Sequence, residues 1–288
     1  MKKPKILVIV GPTASGKSAL AVRLAKRLSG EVISADSRQV YKGLDVGTGK
    51  ITKKEMRGIP HHLLDVANPK KQFSVSEYKK LALNTLRYIV SYGRLPIIVG
   101  GTGFYIEALI MDLPEVPPDL NLRKKLQNKS VEELSRILGE HKIADRKNKV
   151  RLIRAIEIVE ALGEIPKIKK SSEYDFVWIG LRPKDLERRI YERLTKRLPK
   201  IIKEVRGLHK NGLSWKRMDQ LGLEYRYVSE YLRGKMTKSQ MTNELFKETK
   251  RYSRRQLTWF RRNKKIKWFD SSSLDTILKS PGLKKLAR

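Results

Sequence analysis
The stretch Gly11-Pro-Thr-Ala-Ser-Gly-Lys-Ser18 follows an apolar run, Ile6 to Val10, that suits a buried strand. It opens a helical pattern with Leu20, Leu24 and Leu28 on one side. Its register is G-x-x-x-x-G-K-S. Glycines let the backbone curl so that several N–H groups point inward, Lys17 adds a cation, the helix start adds the positive end of its dipole, and the Ser18 hydroxyl is available to Mg2+. Gly11, Thr13, Ala14, Ser15, Gly16, Lys17 and Ser18 therefore form a candidate cradle for a di- or triphosphate. Strand, loop and helix in this order predict an α/β fold with a P-loop NTPase-like core on a parallel sheet. The motif specifies phosphate and leaves the reaction open.

Moving along the chain, Glu31-Val-Ile-Ser-Ala-Asp36 reads as a second strand running into a carboxylate. The carboxyl ends of neighbouring parallel strands share one edge, which places Asp36 beside the phosphate loop. There it can act as a general base or hold magnesium, and capping a following turn suits it equally well. Residues 41–72, punctuated by Gly43, Gly47, Gly49, Gly58 and Pro60, predict a loop-rich connection. Within it, the adjacent His61 and His62 suit a packed, hydrogen-bonded pair better than two ligands of one metal. Tyr78, Leu81, Leu86, Ile89 and Val90 recur at helical intervals between Ser76 and Tyr92, with Gly93 as a stop. A buried strand, Leu95 to Val99, then runs into Gly100-Gly-Thr-Gly103. Nucleotide-hydrolysing P-loop proteins commonly end this strand in an acidic residue; here backbone and the Thr102 hydroxyl stand in its place.

From Leu113 the character changes. Pro114, Pro117 and Pro118 make a stiff connector, and residues 119–163 show helical periodicity with dense charge. The predicted organisation is the first part of the core at 1–112, a helical insertion at 113–173, and returning core strands with a basic helical region at 174–288. Asp175 to Leu181 reads as a strand rejoining the sheet, and Ile266 to Phe269 as one more short strand. Between Lys250 and Trp268, Arg251, Arg254, Arg255, Arg261 and Arg262 interleave with Tyr252, Trp259, Phe260 and Trp268. That combination suits clamping phosphates and stacking the unpaired bases of RNA loops. An amphipathic helix with its aromatics in the core and its cations in water gives the same pattern.

The 288 residues, 40% of them hydrophobic, suffice for a substantial core. Sixty-four Lys and Arg against 30 Asp and Glu leave a net charge of +34, which points to an acidic polymer as partner; a lysine-rich proteome or a thermophilic source produces the same excess. Without cysteine there is no disulfide, no thiol nucleophile and no Cys-based zinc site. No apolar stretch approaches a membrane span, and the N-terminal residues read as a strand rather than a signal peptide, so a soluble, cytoplasmic protein is expected.

Taken together, GPTASGKS at 11–18, ISADSRQVYKGLDVGTGK at 33–50, IPHHLLD at 59–65 and IVGGTGFY at 98–105 resemble the tRNA dimethylallyltransferases, or isopentenyltransferases. RRQLTWFRR at 254–262 is similar to the basic Arg-Gln-x-Thr-Trp stretch of that family, so the resemblance spans nearly the whole chain. It implies transfer of a dimethylallyl group from its diphosphate to the exocyclic amine of the adenosine 3′ of the anticodon. Asp36 then matches the catalytic aspartate and Thr102 the threonine that holds the amine beside it, with Mg2+ assisting the loop in holding the diphosphate. The same matching implies tRNA contacts at Asp36, Ser37, Arg38, Gln39, Thr102 and Arg123, at Val150, Arg151, Leu152, Ile153 and Arg154, and at Arg254, Arg255 and Gln256. The implied partners are a tRNA anticodon stem-loop and dimethylallyl diphosphate, with no membrane and a monomeric chain.

Two departures from the family pattern touch the RNA contacts. Lys147-Asn-Lys149 stands where the family often has Asn-Asp-Pro, and Leu223-Glu-Tyr-Arg226 replaces a Gly-Tyr-Lys/Arg pattern. Three other readings compete. An adenylate isopentenyltransferase acting on free AMP would share the site but has no need of the +34 charge. A P-loop kinase of a small metabolite would use Asp36 on a hydroxyl, and a non-catalytic RNA-binding protein would carry the loop as a relic.

Overall fold
The computed structural model describes residues 3–111, 116–143, 145–167, 173–270, 274–280, 283 and 286; Leu113 and Pro114 of the expected connector lie outside these. The elements in chain order are β1 (Lys5–Val10), α1 (Lys17–Arg27), β2 (Gly30–Ser34), α2 (Lys53–Met56), β3 (His61–His62), α3 (Val75–Ser91), β4 (Leu95–Gly100) and α4 (Gly103–Ile110). Next come α5 (Leu120–Leu126), α6 (Val131–Leu138), α7 (Lys149–Leu162), β5 (Asp175–Leu181) and α8 (Leu186–Lys210). The chain continues with α9 (Trp215–Met218), α10 (Leu223–Leu232), α11 (Lys238–Arg261), β6 (Lys267–Phe269) and α12 (Leu274–Leu278). They form two compact units, Met1–Leu109 with Ser172–Arg288, and Ile110–Ser171.

The first unit is built on a six-stranded sheet in the order β3-β2-β4-β1-β5-β6, with every pairing parallel. β1 lies between β4 and β5, with Leu7 opposite Ile97 and Val177. A strand inside a parallel sheet is covered on both faces, which is why Ile6 to Val10 are all apolar and all buried instead of alternating. α1 packs Leu20, Ala21, Leu24 and Ala25 into a core shared with Ile9, Val32, Ile97 and Ile179. Its last turn carries Lys26 and Arg27, which suit the negative end of the dipole. α3 opens with a capping box between Ser74 and Glu77, and Gly93 follows its end at φ 64°, where a side chain would be disfavoured. These features produce the α/β, P-loop-type core that the opening motif predicts.

The stretch expected to be loop-rich, 41–72, contains the single turn of α2 and a strand. His61 and His62 pair in parallel with Val32 and Ile33 and extend the sheet by one short edge strand, two residues being too few to show a period. His61 Nδ1 lies 2.8 Å from the Ile59 carbonyl oxygen, and His62 Nε2 lies 2.6 Å from Glu31 Oε2. Glu31 also pairs with Arg94, so this histidine pair is hydrogen-bonded into the edge of the sheet.

In the second unit, α5, α6 and α7 enclose Leu126, Leu134, Leu138, Leu152, Ile153 and Ile156. α6 begins with a capping box between Ser130 and Glu133, and Asn148 caps α7. No helix among the described residues is long and apolar enough to cross a membrane.

Candidate active site
The loop between β1 and α1 has the shape its glycines require. Gly16 stands at φ 88° and Ala14 at φ 62°, a left-handed conformation that costs a non-glycine residue about 1–2 kcal/mol. A Cβ at Gly11 would lie 2.5 Å from the Leu181 carbonyl oxygen, so no larger residue fits at the loop entrance. Lys17 Nζ donates to the Pro12 carbonyl at 2.6 Å and to Ser15 Oγ at 3.4 Å, folding its cation across the loop. Burial, and after it the nearby Arg193 guanidinium, bring the Lys17 pKa down to about 7, while the Asp36 charge works in the opposite direction.

Asp36 follows β2 by two residues. Its Oδ1 accepts the backbone N–H of Arg38 at 2.9 Å and of Gln39 at 3.4 Å, and Oδ2 has no hydrogen-bond partner among the described residues. One oxygen of the carboxylate thus caps the following turn, which does not exclude the other from acting as a base. β4 approaches so closely that a Cβ at Gly100 would collide with the Ala35 carbonyl. Across that contact the Thr102 N–H donates to the Ala35 carbonyl at 3.3 Å, and Thr102 Oγ1 accepts the Ser37 N–H at 3.1 Å. Tyr252 of α11 lines the same cleft as Thr102, and its phenol is pushed up to about 12 by desolvation and then by the Asp36 charge.

These groups face one cleft of about 1140 Å³, whose lining includes the phosphate loop, Asp36, Thr102 and Tyr252. α8 supplies a cationic wall through Arg193 and Arg197. Arg193 Nη2 donates to the Gly49 carbonyl at 3.2 Å, and Arg197 donates to the carbonyls of Val46 and Gly47. Glu204, further along α8, accepts the N–H groups of Asp45, Val46 and Gly47 at 3.0, 2.6 and 2.9 Å and the Tyr225 hydroxyl at 2.7 Å. The 45–49 loop is thus held against α8 at both its donors and its acceptors. Glu224 also lines the cleft; burial raises its pKa against the pull of Arg197 and Arg193. Arg193, Arg197, Glu204, Glu224 and Tyr252 are absent from the sequence-derived site. The spacing of Arg193, Arg197, Lys200 and Glu204 along one face of a helix was the available signal.

The residues matched to tRNA contact are distributed unevenly. Ser37, Arg38 and Gln39 lie at the cleft with Asp36, and Arg255 reaches it from α11. Arg254 points outward, 70% exposed, with Glu187 3.3 Å away. Gln256 is buried, and both ends of its amide bond other parts of the protein, so its side chain is not free for RNA. Leu152 and Ile153 are buried in the apolar core of the second unit, so their side chains are corrected from contact to packing. Within the same run, Val150 is 76% exposed and Arg151 is exposed. Arg123 forks onto buried Glu157 through Nε at 2.6 Å and Nη2 at 2.9 Å, while Arg154 reaches Glu157 at 3.2 Å and the Val116 carbonyl at 2.7 Å. Of the aromatics interleaved with the basic residues, Phe260 is buried, Trp259 packs against Gly103 and Trp268 against Gly180, which leaves Tyr252 at the cleft.

A phosphate loop after β1, with a hydroxyl at the end of the adjacent β4 and a carboxylate after the next strand, β2, defines a P-loop enzyme equipped for group transfer. Residues 39–263 match the sequence model described as IPP transferase, and the chain belongs to that family. It is 40% identical over 288 residues to the tRNA dimethylallyltransferase of Caldanaerobacter subterraneus subsp. tengcongensis, covering 92% of this chain and 91% of that one. With tRNA dimethylallyltransferase 1 of Syntrophus aciditrophicus it shares 41% identity over 292 residues, covering 94% and 95%. The crystal structure of the full-length tRNA isopentenylpyrophosphate transferase of Bacillus halodurans aligns with a TM-score of 0.74 at 35% identity, covering 99% of this chain and 98% of the other.

Proposed function
We propose that this protein transfers the dimethylallyl group of dimethylallyl diphosphate to the exocyclic amine of the adenosine 3′ of the anticodon in tRNA, in the cytoplasm. The observation that carries the reading is the hydrogen bond from Ser37, next to Asp36, to Thr102, which brings the ends of β2 and β4 together in the cleft that also holds the phosphate loop. In the reaction the allylic C–O bond breaks, a C–N bond forms, and the amine proton must leave. An aromatic amine is a weak nucleophile, so the Asp36 carboxylate takes that proton as the bond forms. Thr102 orients the amine beside it. The leaving diphosphate gathers charge, which the backbone N–H groups of the loop, the start of α1 and Lys17 offset. Lys17 is well suited to this: its pKa near 7 lets it gain a proton as the anion arrives.

The residues fit a magnesium ion carried with the diphosphate. Ser18 is exposed at the first turn of α1 in the cleft, and no group of three or more His, Cys, Asp or Glu among the described residues could hold a metal without the substrate. Ser18 would be its protein ligand, and the ion would supply charge neutralisation of the phosphate oxygens. For the tRNA, Ser37, Arg38 and Gln39 at the cleft, with Arg151, Arg254 and Arg255 on exposed surface, are the side chains to test.

The deciding experiment incubates purified protein with dimethylallyl diphosphate, Mg2+ and either unmodified tRNA or AMP, followed by mass analysis of the nucleosides. A five-carbon adduct on tRNA alone supports the reading, and one on AMP alone moves it to an adenylate isopentenyltransferase. No adduct on either substrate, with folded protein and cognate tRNA, rejects it.

A further inference from the structure
We infer that Gln256 is a positioning residue that fixes the phosphate loop and the Thr102 turn relative to each other. It lies on α11, more than 150 positions from either segment it touches, and is only 7% exposed. Its Oε1 accepts the Thr13 backbone N–H at 2.9 Å, and its Nε2 donates to the Gly101 carbonyl at 2.9 Å. Among the described residues no other side chain bonds both the loop and the turn. The strand ladder between β1 and β4 ends at Val10 and Gly100, so the amide closes the gap at the point where the backbone pairing stops.

The neighbouring glycines fit the same arrangement. A Cβ at Gly101 would collide with Gln256 Nε2, and one at Gly103 would collide with the Trp259 indole one helical turn further along α11. The glycines of this turn are therefore the seat for α11. An amide is the suitable group at this position because one end must accept and the other must donate, and both partners are backbone groups that would otherwise be left unpaired. The Thr13 N–H is thereby committed to Gln256, and the Ser15 N–H to the Pro12 carbonyl, which leaves the other N–H groups of the loop to form the anion cradle. One side chain sets the spacing between the cradle for the leaving group and the hydroxyl beside the base. Small displacements between such groups cost about 100-fold in rate.

The inference rests on the transfer reaction proposed above, but part of its test does not require that reaction. The full chain, Gln256→Met, Gln256→Asn and Arg254→Met are compared by calorimetric titration with pyrophosphate, by transfer kinetics and by thermal unfolding. Met keeps the length and loses both hydrogen bonds. Expected for Gln256→Met are a pyrophosphate Kd about tenfold weaker, a kcat lower by about tenfold or more, and a KM for tRNA within about twofold of the parent. Asn, one methylene too short to span both partners, should change the same two quantities by less. Arg254→Met should move the tRNA KM alone.

Three outcomes overturn the inference. One is pyrophosphate affinity and kcat both within twofold of the parent in either Gln256 variant; another is a Gln256 variant that moves only the tRNA KM, as Arg254→Met does. The third is an equal change in all three quantities that tracks a lowered Tm, which would mark Gln256 as merely structural. If Gln256→Met loses cooperative unfolding, Gln256→Asn decides. Parent protein that binds pyrophosphate yet prenylates no tRNA would reject the proposed reaction, and the pyrophosphate comparison of the variants would still test Gln256.

Discussion
Thr102 Oγ1 accepts the backbone N–H of Ser37 at 3.1 Å, joining residues 65 positions apart in the sequence. The bond spans the ends of β2 and β4 and places a hydroxyl next to the peptide that carries Asp36. A carboxylate alone at a strand end is ambiguous between cap and base. With its Oδ1 occupied by two backbone N–H groups and a hydroxyl fixed alongside, it is a carboxylate whose position has already been set.

Replacing Asp36 with Asn keeps an oxygen for the Arg38 and Gln39 N–H groups and removes the proton acceptor. General base catalysis is worth about 10²–10⁴ in rate. Single-turnover transfer should slow by that order, with tRNA affinity within about threefold of the parent. Lost affinity with a normal rate per bound complex would remove Asp36 from the chemistry.

In the free protein Lys17 has a pKa lowered to about 7, so above that pH its amine is largely neutral. A bound diphosphate favours the cation and raises the pKa again. Calorimetry of pyrophosphate binding at pH 8, in buffers of different ionisation enthalpy, should show net proton uptake by the protein. Lys17→Met should weaken binding and abolish the part of the uptake that belongs to this amine; unchanged uptake would contradict the assignment.

Glu204 holds the 45–49 loop through three backbone N–H groups and is joined by the Tyr225 hydroxyl. Glu204→Gln turns one acceptor into a donor facing donors. Hydrogen bonds to a charged group contribute about 1.5–3 kcal/mol each, and the loss here should be about 3 kcal/mol, read from denaturant unfolding. The loop should also become more open to proteolysis near Gly47 and Gly49.

The Glu157 side chain is 1% exposed and lies between Arg123 and Arg154. Burial acts to raise its carboxyl pKa, but the hydrogen bonds and charges of the two arginines outweigh it and hold the value below the ordinary one. A depressed carboxylate pKa contributes stability that is fully present above the unfolded value, roughly 4.3, and is lost as pH falls through the folded value. Glu157→Gln should cost about 3 kcal/mol near neutral pH, and its stability should fall less steeply than that of the parent below about pH 4. Parallel acid unfolding curves would show that the pair adds nothing there.

The sequence by itself determined the groups proposed for the chemistry. The G-x-x-x-x-G-K-S register between an apolar run and a helical period is a local code, because glycine freedom, strand burial and helix spacing are properties of neighbouring residues. The same holds for β1, β2, β4, β5 and α3, whose ends fall within about two residues of the periodicity. The parallel-strand rule put Asp36 at the edge beside the phosphate loop, and its pairing with Thr102 came from the resemblance to the family.

The tertiary structure alone decided which polar side chains are spent on the protein. The family resemblance matches Gln256 and Arg123 to RNA contact, yet their partners are Thr13, Gly101 and Glu157, between 34 and 243 positions away. Leu152 and Ile153 lie within a basic run, and only the packing of α7 shows that they face inward. A hydrogen bond between distant segments leaves no periodic trace, because its geometry comes from how whole elements dock. The amide between the two loops therefore appears only once the sheet and its helices are assembled, and so does the cleft that the regularly spaced cations of α8 face.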